Sequence, residues 1–367
     1  MSKKLLVTGG AGFIGSNFIH HVLQQRPSDS IVNLDLLPYS GNLDNLSDVE
    51  SDPRYTFVQG SICDRSLVTE LVSNADCVVH FAAESHVDRS IDDASPFIHT
   101  NVLGTQVLLD AVKECGGRRM LHVSTDEVYG SLPLDQPEVK FSEESSISPN
   151  SPYAASKASS DLLVRAFRKT YGLDVVTTRC SNNFGPYQFP EKVIPCFVTR
   201  LAQGLNVPLY GDGKNVRDWI HVIDHCEAIL LVLEQGRAGE VYNVGGDNER
   251  SNLELTHAIL DVMDLPKDRI EYVEDRLGHD RRYAISGTKM KDEFGWEPTR
   301  SAWPEALRQT VDWYLNHQTW WQRILAKQHV DGQGTEQDDT SPSAGGTPLP
   351  VQTGSQTAGA TQADSAT

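Results

Sequence analysis

Two carboxyl side chains stand next to each other at Asp126 and Glu127, directly after the hydroxyl of Thr125 and the run RMLHVS at 119–124. Removing water from a carbonyl compound needs a base for the proton alpha to the carbonyl and an acid for the departing hydroxyl. Neighbouring residues in an irregular turn can offer both groups to one pocket from different angles. A simple oxidoreductase or epimerase has no use for two extra acids. The charge of Glu127 should raise the pKa of Asp126 and keep it protonated. Tyr153 and Lys157 are spaced i, i+4 in a segment that opens a helix, so they share one face. An ammonium beside a phenol stabilises the phenolate and should lower the pKa of Tyr153. Such a tyrosine can take a proton from an alcohol while hydride leaves the same carbon.

Hydride needs an acceptor, and the N-terminal segment supplies a place for one. The apolar run KLLVT at 4–8 leads directly into Gly9-Gly10-Ala11-Gly12-Phe13-Ile14-Gly15 and then into a helical pattern over 14–25. In this GxxGxxG arrangement Gly9 permits the tight turn, Gly12 lets the backbone approach a pyrophosphate, and Gly15 lets helix and strand pack closely. The pyrophosphate would rest on the helix N-terminus, which attracts anions. Asp35 ends the next strand, where a carboxylate accepts from the adenosine ribose hydroxyls and repels a 2′-phosphate. The cofactor expected is therefore NAD.

The elements that carry these groups alternate. Strands are expected at 4–8, 31–34, 55–59, 77–81, 119–124 and 175–178, and helices at 14–25, 66–73, 96–115 and 156–171. Short apolar runs alternating with helices imply an α/β fold with a doubly wound parallel sheet. The acid pair then falls at the carboxyl end of the fifth strand, where such sheets bind ligands. Beyond about 182 the pattern loosens, with helices expected at 193–203, 224–234 and 252–263. A smaller, interleaved C-terminal substrate lobe is expected there. The boundaries read as 1–181 for the dinucleotide-binding domain, 182–328 for the substrate lobe, and 329–367 for a tail. That tail is rich in Gly, Thr, Ser, Gln and Ala and buries too little apolar surface to order itself, so it reads as disordered.

The chain holds 32 basic and 50 acidic residues, a net −18. The five acids of segment 330–367 account for part of this, which leaves −13 on the rest. An acidic body argues against a nucleic-acid or membrane-surface partner, although a few placed arginines still suffice for an anionic ligand. No apolar run is long enough to span a bilayer. The lysines and apolar residues at the start are interrupted at once by glycines, unlike a signal peptide. The six cysteines are scattered without a CxxC pair, so neither a metal site nor a disulfide framework is expected, and a reducing, cytoplasmic setting fits best.

The loop TGGAGFIG at 8–15 together with the YxxxK of Tyr153 and Lys157 resembles the extended short-chain dehydrogenase/reductases, whose core is a Rossmann sheet. Within that superfamily, STDEVYG at 124–130, AAESHVDRS at 82–90, SNNFGPY at 181–187, FPEK at 189–192, RDW at 217–219 and GHDRRY at 278–283 resemble the blocks of the dTDP-glucose 4,6-dehydratases. The resemblance covers nearly the whole chain before the tail. It implies NAD-dependent conversion of a nucleotide-linked glucose to its 4-keto-6-deoxy form, in deoxysugar synthesis of the dTDP-rhamnose type. Thr125, Asp126, Glu127, Tyr153 and Lys157 are the implied catalytic set. Asp35, Ser61, Ile62, Phe81, Ala82, Ala83, Ser85, Thr100 and Asn183 should line the cofactor with the glycine loop.

The resemblance also implies that Ser85, Thr125, Asn182, Lys192, Val193, Pro208, Leu209, Tyr210, Arg217, Asn252, Asp275, Arg276 and His279 line the sugar nucleotide. Arg217 suits the diphosphate, and Tyr210 could stack on the base or fill core. Three positions depart from the family pattern: Ser61 where aspartate is usual, Leu277 where proline is usual, and Pro38 where threonine is usual. The superfamily's four-helix dimer interface implies a homodimer, here through the helices at 96–115 and 156–171. Their apolar residues are Val102, Val107, Leu108, Leu162, Leu163 and Phe167. Other readings are a UDP-glucose 4,6-dehydratase, an NAD-dependent nucleotide-sugar epimerase or decarboxylase, and a non-enzymatic NAD-binding protein on the same fold. A non-enzymatic protein would have no need of all five catalytic groups.

Overall fold

The computed structural model describes residues 2–333. Six apolar runs become strands: β1 (Lys4–Thr8), β2 (Ser30–Asp35), β3 (Tyr55–Gln59), β4 (Cys77–His80), β5 (Arg119–Thr125) and β6 (Val175–Cys180). All residues of β4 and β6 are buried, and so are all but the first of β1, β2 and β5. Such continuous burial is the mark of strands covered on both faces. The helices between them are α1 (Phe13–Gln25), α2 (Arg65–Ser73), α3 (Val87–Asp92), α4 (Ser95–Phe97), α5 (Thr105–Glu114) and α6 (Pro152–Tyr171). Further along come β7 (Asn182–Phe184), α7 (Val193–Ala202), β8 (Val207–Tyr210), β9 (Val216–His221), α8 (Val222–Gln235) and β10 (Val241–Val244). The last elements are β11 (Glu249–Ser251), α9 (Asn252–Val262), β12 (Ile270–Val273), α10 (Thr288–Phe294), α11 (Glu305–Asn316) and α12 (Gln318–Gln333).

The main sheet runs β10-β6-β5-β4-β1-β2-β3, and all its pairings are parallel. Strand order reverses between β1 and β4, so the loops after these strands part and leave a crevice at the carboxyl edge. One face packs Phe18, Val22, Ile229 and Leu233 of α1 and α8, and the other Val68, Val72, Leu108 and Val112 of α2 and α5. The seventh strand was not expected. Its four residues, VYNV, lie far along the chain between loops, and only pairing with β6 makes them a strand. Through it the second half of the chain returns to the first, which is the interleaving. Two small sheets, β11-β9-β7 and β12-β8, build the second lobe.

By internal contacts the chain divides into Met1–Ile324 and Leu325–Thr367, and no division falls at 181. Helix α12 continues to Gln333, so residues 329–333 are helical where disorder was expected. The rest of the expected tail, 334–367, lies outside the described residues. Among the described residues no helix is long and apolar enough to cross a membrane.

Two local devices position the site. Ser151 caps α6 by accepting from the Ala154 amide, with Pro152 in the first turn, so the helix starts before Tyr153 instead of at 156. The long helix expected over 96–115 contains a π-helical stretch, Ile98–Gly104. Asn101 inside it accepts from the Glu84 amide and donates to the Glu84 carbonyl and to Ser156 Oγ. That side-chain network ties the irregular turn to the end of β4 and to α6.

Candidate active site

The glycine loop has the geometry that a dinucleotide phosphate requires. Gly9 adopts φ +72°, and a Cβ there would lie 2.6 Å from the Ala82 amide nitrogen. A Cβ on Gly15 would lie 2.3 Å from the Gly9 carbonyl, so helix and loop touch. At Gly12 a Cβ would meet only the Gly9 carbonyl, at 3.4 Å, which leaves its outer side open. Gly12 is also the N-cap of α1 and offers no capping side chain, so the first amides of the helix remain for a ligand. Asp35 accepts from the amides of Ala11 and Leu37 at 2.9 and 2.8 Å, which orients its carboxylate at the end of β2.

A cavity opens over this loop. It is lined by Gly9, Gly12, Phe13, Ile14 and Gly15, by Asp35, Ser61 and Ile62, by Phe81, Ala82, Ala83 and Ser85, and by Thr100, Thr125, Tyr153, Lys157 and Asn183. Every residue assigned to the cofactor therefore faces one space. These groups fit NAD: a bare helix N-terminus for the pyrophosphate, a fixed carboxylate for a ribose, and a Tyr/Lys pair at the far end. A second cavity is lined by Val193, Pro208, Leu209, Tyr210, Arg217, Asn252, Arg276 and His279. Ser85, Glu127, Asn182, Glu191 and Lys192 line both, and the two cavities meet there. Arg217 is no surface ion-pair residue. It is 6% exposed, donates from Nη2 to the Asp280 carbonyl at 3.0 Å, and lies 4.2 Å from the centroid of the Tyr283 ring.

Two assignments change. Asp275 lines neither cavity; it accepts from His279 Nδ1 at 2.6 Å and from the Arg276 amide at 2.9 Å, and so holds two residues that do line one. Asp126 also lines neither cavity. It is 2% exposed, accepts from Thr125 Oγ1 at 3.3 Å through Oδ1, and leaves Oδ2 without a partner. Of the departures from the family pattern, Ser61 and Pro38 face the first cavity, whereas Leu277 is 77% exposed. Sequence reasoning passed over Tyr39, Glu191, Trp219 and Tyr283, which also line the cavities. Glu191, Trp219 and Tyr283 lie inside blocks that the sequence analysis singles out, but nothing in their spacing tells cavity walls from packing.

The family model for GDP-mannose 4,6 dehydratase matches residues 6–309. The chain is 52% identical to a dTDP-glucose 4,6-dehydratase of Actinoplanes sp. (strain ATCC 31044 / CBS 674.73 / SE50/110), over 87% of this chain and 99% of that one. It is 53% identical to a dTDP-glucose 4,6-dehydratase of Streptomyces antibioticus, over 87% of this chain and 95% of the other. The chain belongs to the dTDP-glucose 4,6-dehydratase family. The crystal structure of DesIV, a dTDP-glucose 4,6-dehydratase from Streptomyces venezuelae with NAD bound, superposes with TM-score 0.84 at 51% identity, covering 88% of this chain and 99% of that one.

In this member of the dTDP-glucose 4,6-dehydratase family the two adjacent acids are electrostatically unlike. Burial holds Asp126 well above the ordinary aspartate range, with the charges of Glu127 and Asp218 adding to it and Arg217 opposing. Glu127 is also raised by burial, but Arg217, Arg276 and Lys192 all favour its charged form. The expectation that Glu127 keeps Asp126 neutral is correct in sign, yet burial is the larger cause. Tyr153 departs from expectation: burial pushes it up, the charges of Glu127, Cys180 and Asp126 add to it, and the Thr125 hydroxyl opposes. Lys157 spends its ammonium on the Val123 carbonyl at 2.8 Å, and burial brings it down to about 8. In the protein alone burial, more than the neighbouring acids, therefore keeps the Tyr153 phenol protonated.

A carboxyl whose folded pKa lies above its unfolded value binds more protons in the folded state. Its contribution to stability is complete below the unfolded value of 3.8 and is lost as pH rises through the raised one. Asp126→Asn removes that titration while keeping the shape. In thermal unfolding, the Tm of the variant should gain on wild type as pH rises from the unfolded value of 3.8 toward neutrality. A gap that stays constant over that range would show that Asp126 titrates normally.

Proposed function

We propose that the protein is an NAD-dependent dTDP-glucose 4,6-dehydratase, a hydro-lyase that converts dTDP-glucose to dTDP-4-keto-6-deoxyglucose and water. The observation that carries this reading is Glu127 at the junction of the two cavities with Asp126 buried directly beside it at the end of β5, in a chain about half identical to dehydratases of that name. The sugar nucleotide would occupy the second cavity, with Arg217 toward the diphosphate, and NAD the first.

Bound NAD supplies the acceptor and later the donor of one hydride. Tyr153 takes the proton of the C4 hydroxyl as C4 is oxidised, and Thr125 hydrogen-bonds the same oxygen. Lys157 would hold the cofactor's ribose and help to favour the Tyr153 phenolate. The ketone at C4 acidifies the C5 proton, which Glu127 removes, its charged form favoured by Arg217, Arg276 and Lys192. Asp126, held neutral, protonates the C6 hydroxyl, and water leaves. Hydride returns to C6 and Glu127 returns its proton to C5. An epimerase needs no such acid and base, which favours elimination over that alternative. Thymine and uracil differ by one methyl, worth about 1–3 kcal/mol of discrimination, so a UDP-glucose dehydratase is distinguished by assay.

The setting proposed is cytoplasmic, supported by six free cysteines. A homodimer is also proposed, through α5 with its π-helical lead-in and α6. Val107 and Leu108, expected at that interface, are buried against the sheet, and Leu163 and Phe167 pack beside them. Ile98, Leu103, Leu162 and Tyr171 are instead exposed, at 51%, 40%, 54% and 53%, and are the apolar groups that these helices offer to a second copy.

Purified protein given dTDP-glucose without added NAD should form a 4-keto sugar, read by its absorbance in alkali; no product from dTDP-glucose or UDP-glucose would overturn the reaction. Asp126→Asn should still oxidise C4 but lower turnover by about 10²-fold or more, with reduced nicotinamide accumulating on the enzyme. Wild-type turnover without that absorbance would remove Asp126 from its role. In sedimentation, wild type should run as a dimer and Leu162→Lys should shift toward monomer; a monomeric wild type excludes the interface.

A further inference from the structure

Three segments remote in sequence meet at the rim of the first cavity. Tyr39 comes from the loop after β2, whose Pro38, Ser40 and Gly41 also line that cavity. Phe189 and Glu191 come from the segment between β7 and α7 and line it too. Arg89 comes from α3 and lines neither cavity.

Arg89 joins the other two. Its guanidinium carbon sits 3.6 Å from the centroid of the Tyr39 ring, and its Nη2 donates to Glu191 Oε2 at 3.1 Å. Tyr39 meets the Phe189 ring edge-on, with centroids 5.6 Å apart. The 186–192 segment is in turn anchored to the start of α1, because Asn17 Nδ2 donates to the Pro186 carbonyl at 3.0 Å. The loop after β2, α3 and the segment between β7 and α7 therefore touch one another beside the cavity.

An isolated ion pair at a half-exposed position such as Arg89 contributes little. Here the guanidinium also covers an aromatic face, and planar stacking with bidentate-capable charge is what distinguishes arginine from lysine. Neither contact is needed to hold the sheet together, and neither reaches a reacting atom. Together they tie the loop after β2 to the 189–191 segment.

We propose that Arg89 is a positioning residue for the cofactor: stacked on Tyr39 and paired with Glu191, it clasps the cavity shut so that NAD stays bound from one turnover to the next. This rests on the reading of the first cavity as the NAD site. It suits a reaction in which the cofactor is restored in every cycle and has no reason to leave.

The test needs no turnover. Holoenzyme is freed of loose nucleotide by gel filtration and diluted into NAD-free buffer, and the NAD remaining per subunit is followed by acid release and chromatography. Arg89→Gln should lose NAD about 10-fold faster or more, while kcat at saturating NAD stays within about 2-fold of wild type. Arg89→Lys keeps the charge for Glu191 but not the stack, and should fall between the two. If Arg89→Gln does not fold, the lysine variant decides: release faster than wild type upholds the clasp, and release at the wild-type rate overturns it. Wild-type release from Arg89→Gln overturns it directly. Because the readout is NAD retention, such a result leaves dehydration of dTDP-glucose untouched, and absence of dehydration leaves the retention result readable.

Discussion

Two carboxyl groups on adjacent residues, in a place that water scarcely reaches, cannot share their charge equally. Each would penalise the other, and burial penalises both. At the end of β5 this is resolved by position. Asp126 is turned inward, where a single cation, Arg217, and the Thr125 hydroxyl oppose the desolvation, whereas Glu127 faces three cations at the junction of the cavities. One acid is thereby kept neutral and the other is biased toward charge. Acid and base for an elimination follow from that asymmetry, without any difference in the intrinsic chemistry of the two side chains.

The fold can be read as what this asymmetry requires. A buried acid pair needs a strand end enclosed on all sides, which the fifth strand of a seven-stranded parallel sheet provides. A hydride acceptor must lie beside it, and the reversal of strand order between β1 and β4 opens the crevice that holds one. The cations come from the other lobe: Arg217 from β9, Lys192 from the N-terminal edge of α7, Arg276 from the loop after β12. Interleaving through β10 brings that lobe back over the sheet. A net-acidic chain therefore holds two diphosphate-bearing ligands by placed groups alone, and its overall charge says nothing against them.

Much of this was legible in the residues because it is local. The glycine spacing, the acid at the end of β2, the i, i+4 tyrosine and lysine, and the apolar runs of six strands each need only a few neighbouring positions. What was not legible is set by distant partners. The π-helical stretch carries Asn101, whose side chain reaches Glu84 and Ser156 in other segments. The strand VYNV exists because β6 has a free edge. The depth of Asp126, the service of Asp275 to His279 and Arg276, and the raised pKa of Tyr153 depend on what packs around each. Arg89, Tyr39 and Glu191 carried no signal as a group, since their meeting is a matter of tertiary contact between three segments.

The central claim is that one enclosed site oxidises C4, eliminates across C5 and C6, and reduces C6 with the same hydride. The most direct measurement uses dTDP-glucose deuterated at C4, mixed with unlabelled substrate of distinguishable mass, and locates deuterium in the product by mass spectrometry and NMR. The account predicts deuterium in the C6 methyl group of the same molecules that began with it, with no exchange into the unlabelled pool. Loss of the label to solvent, or its appearance in the unlabelled product, would contradict it.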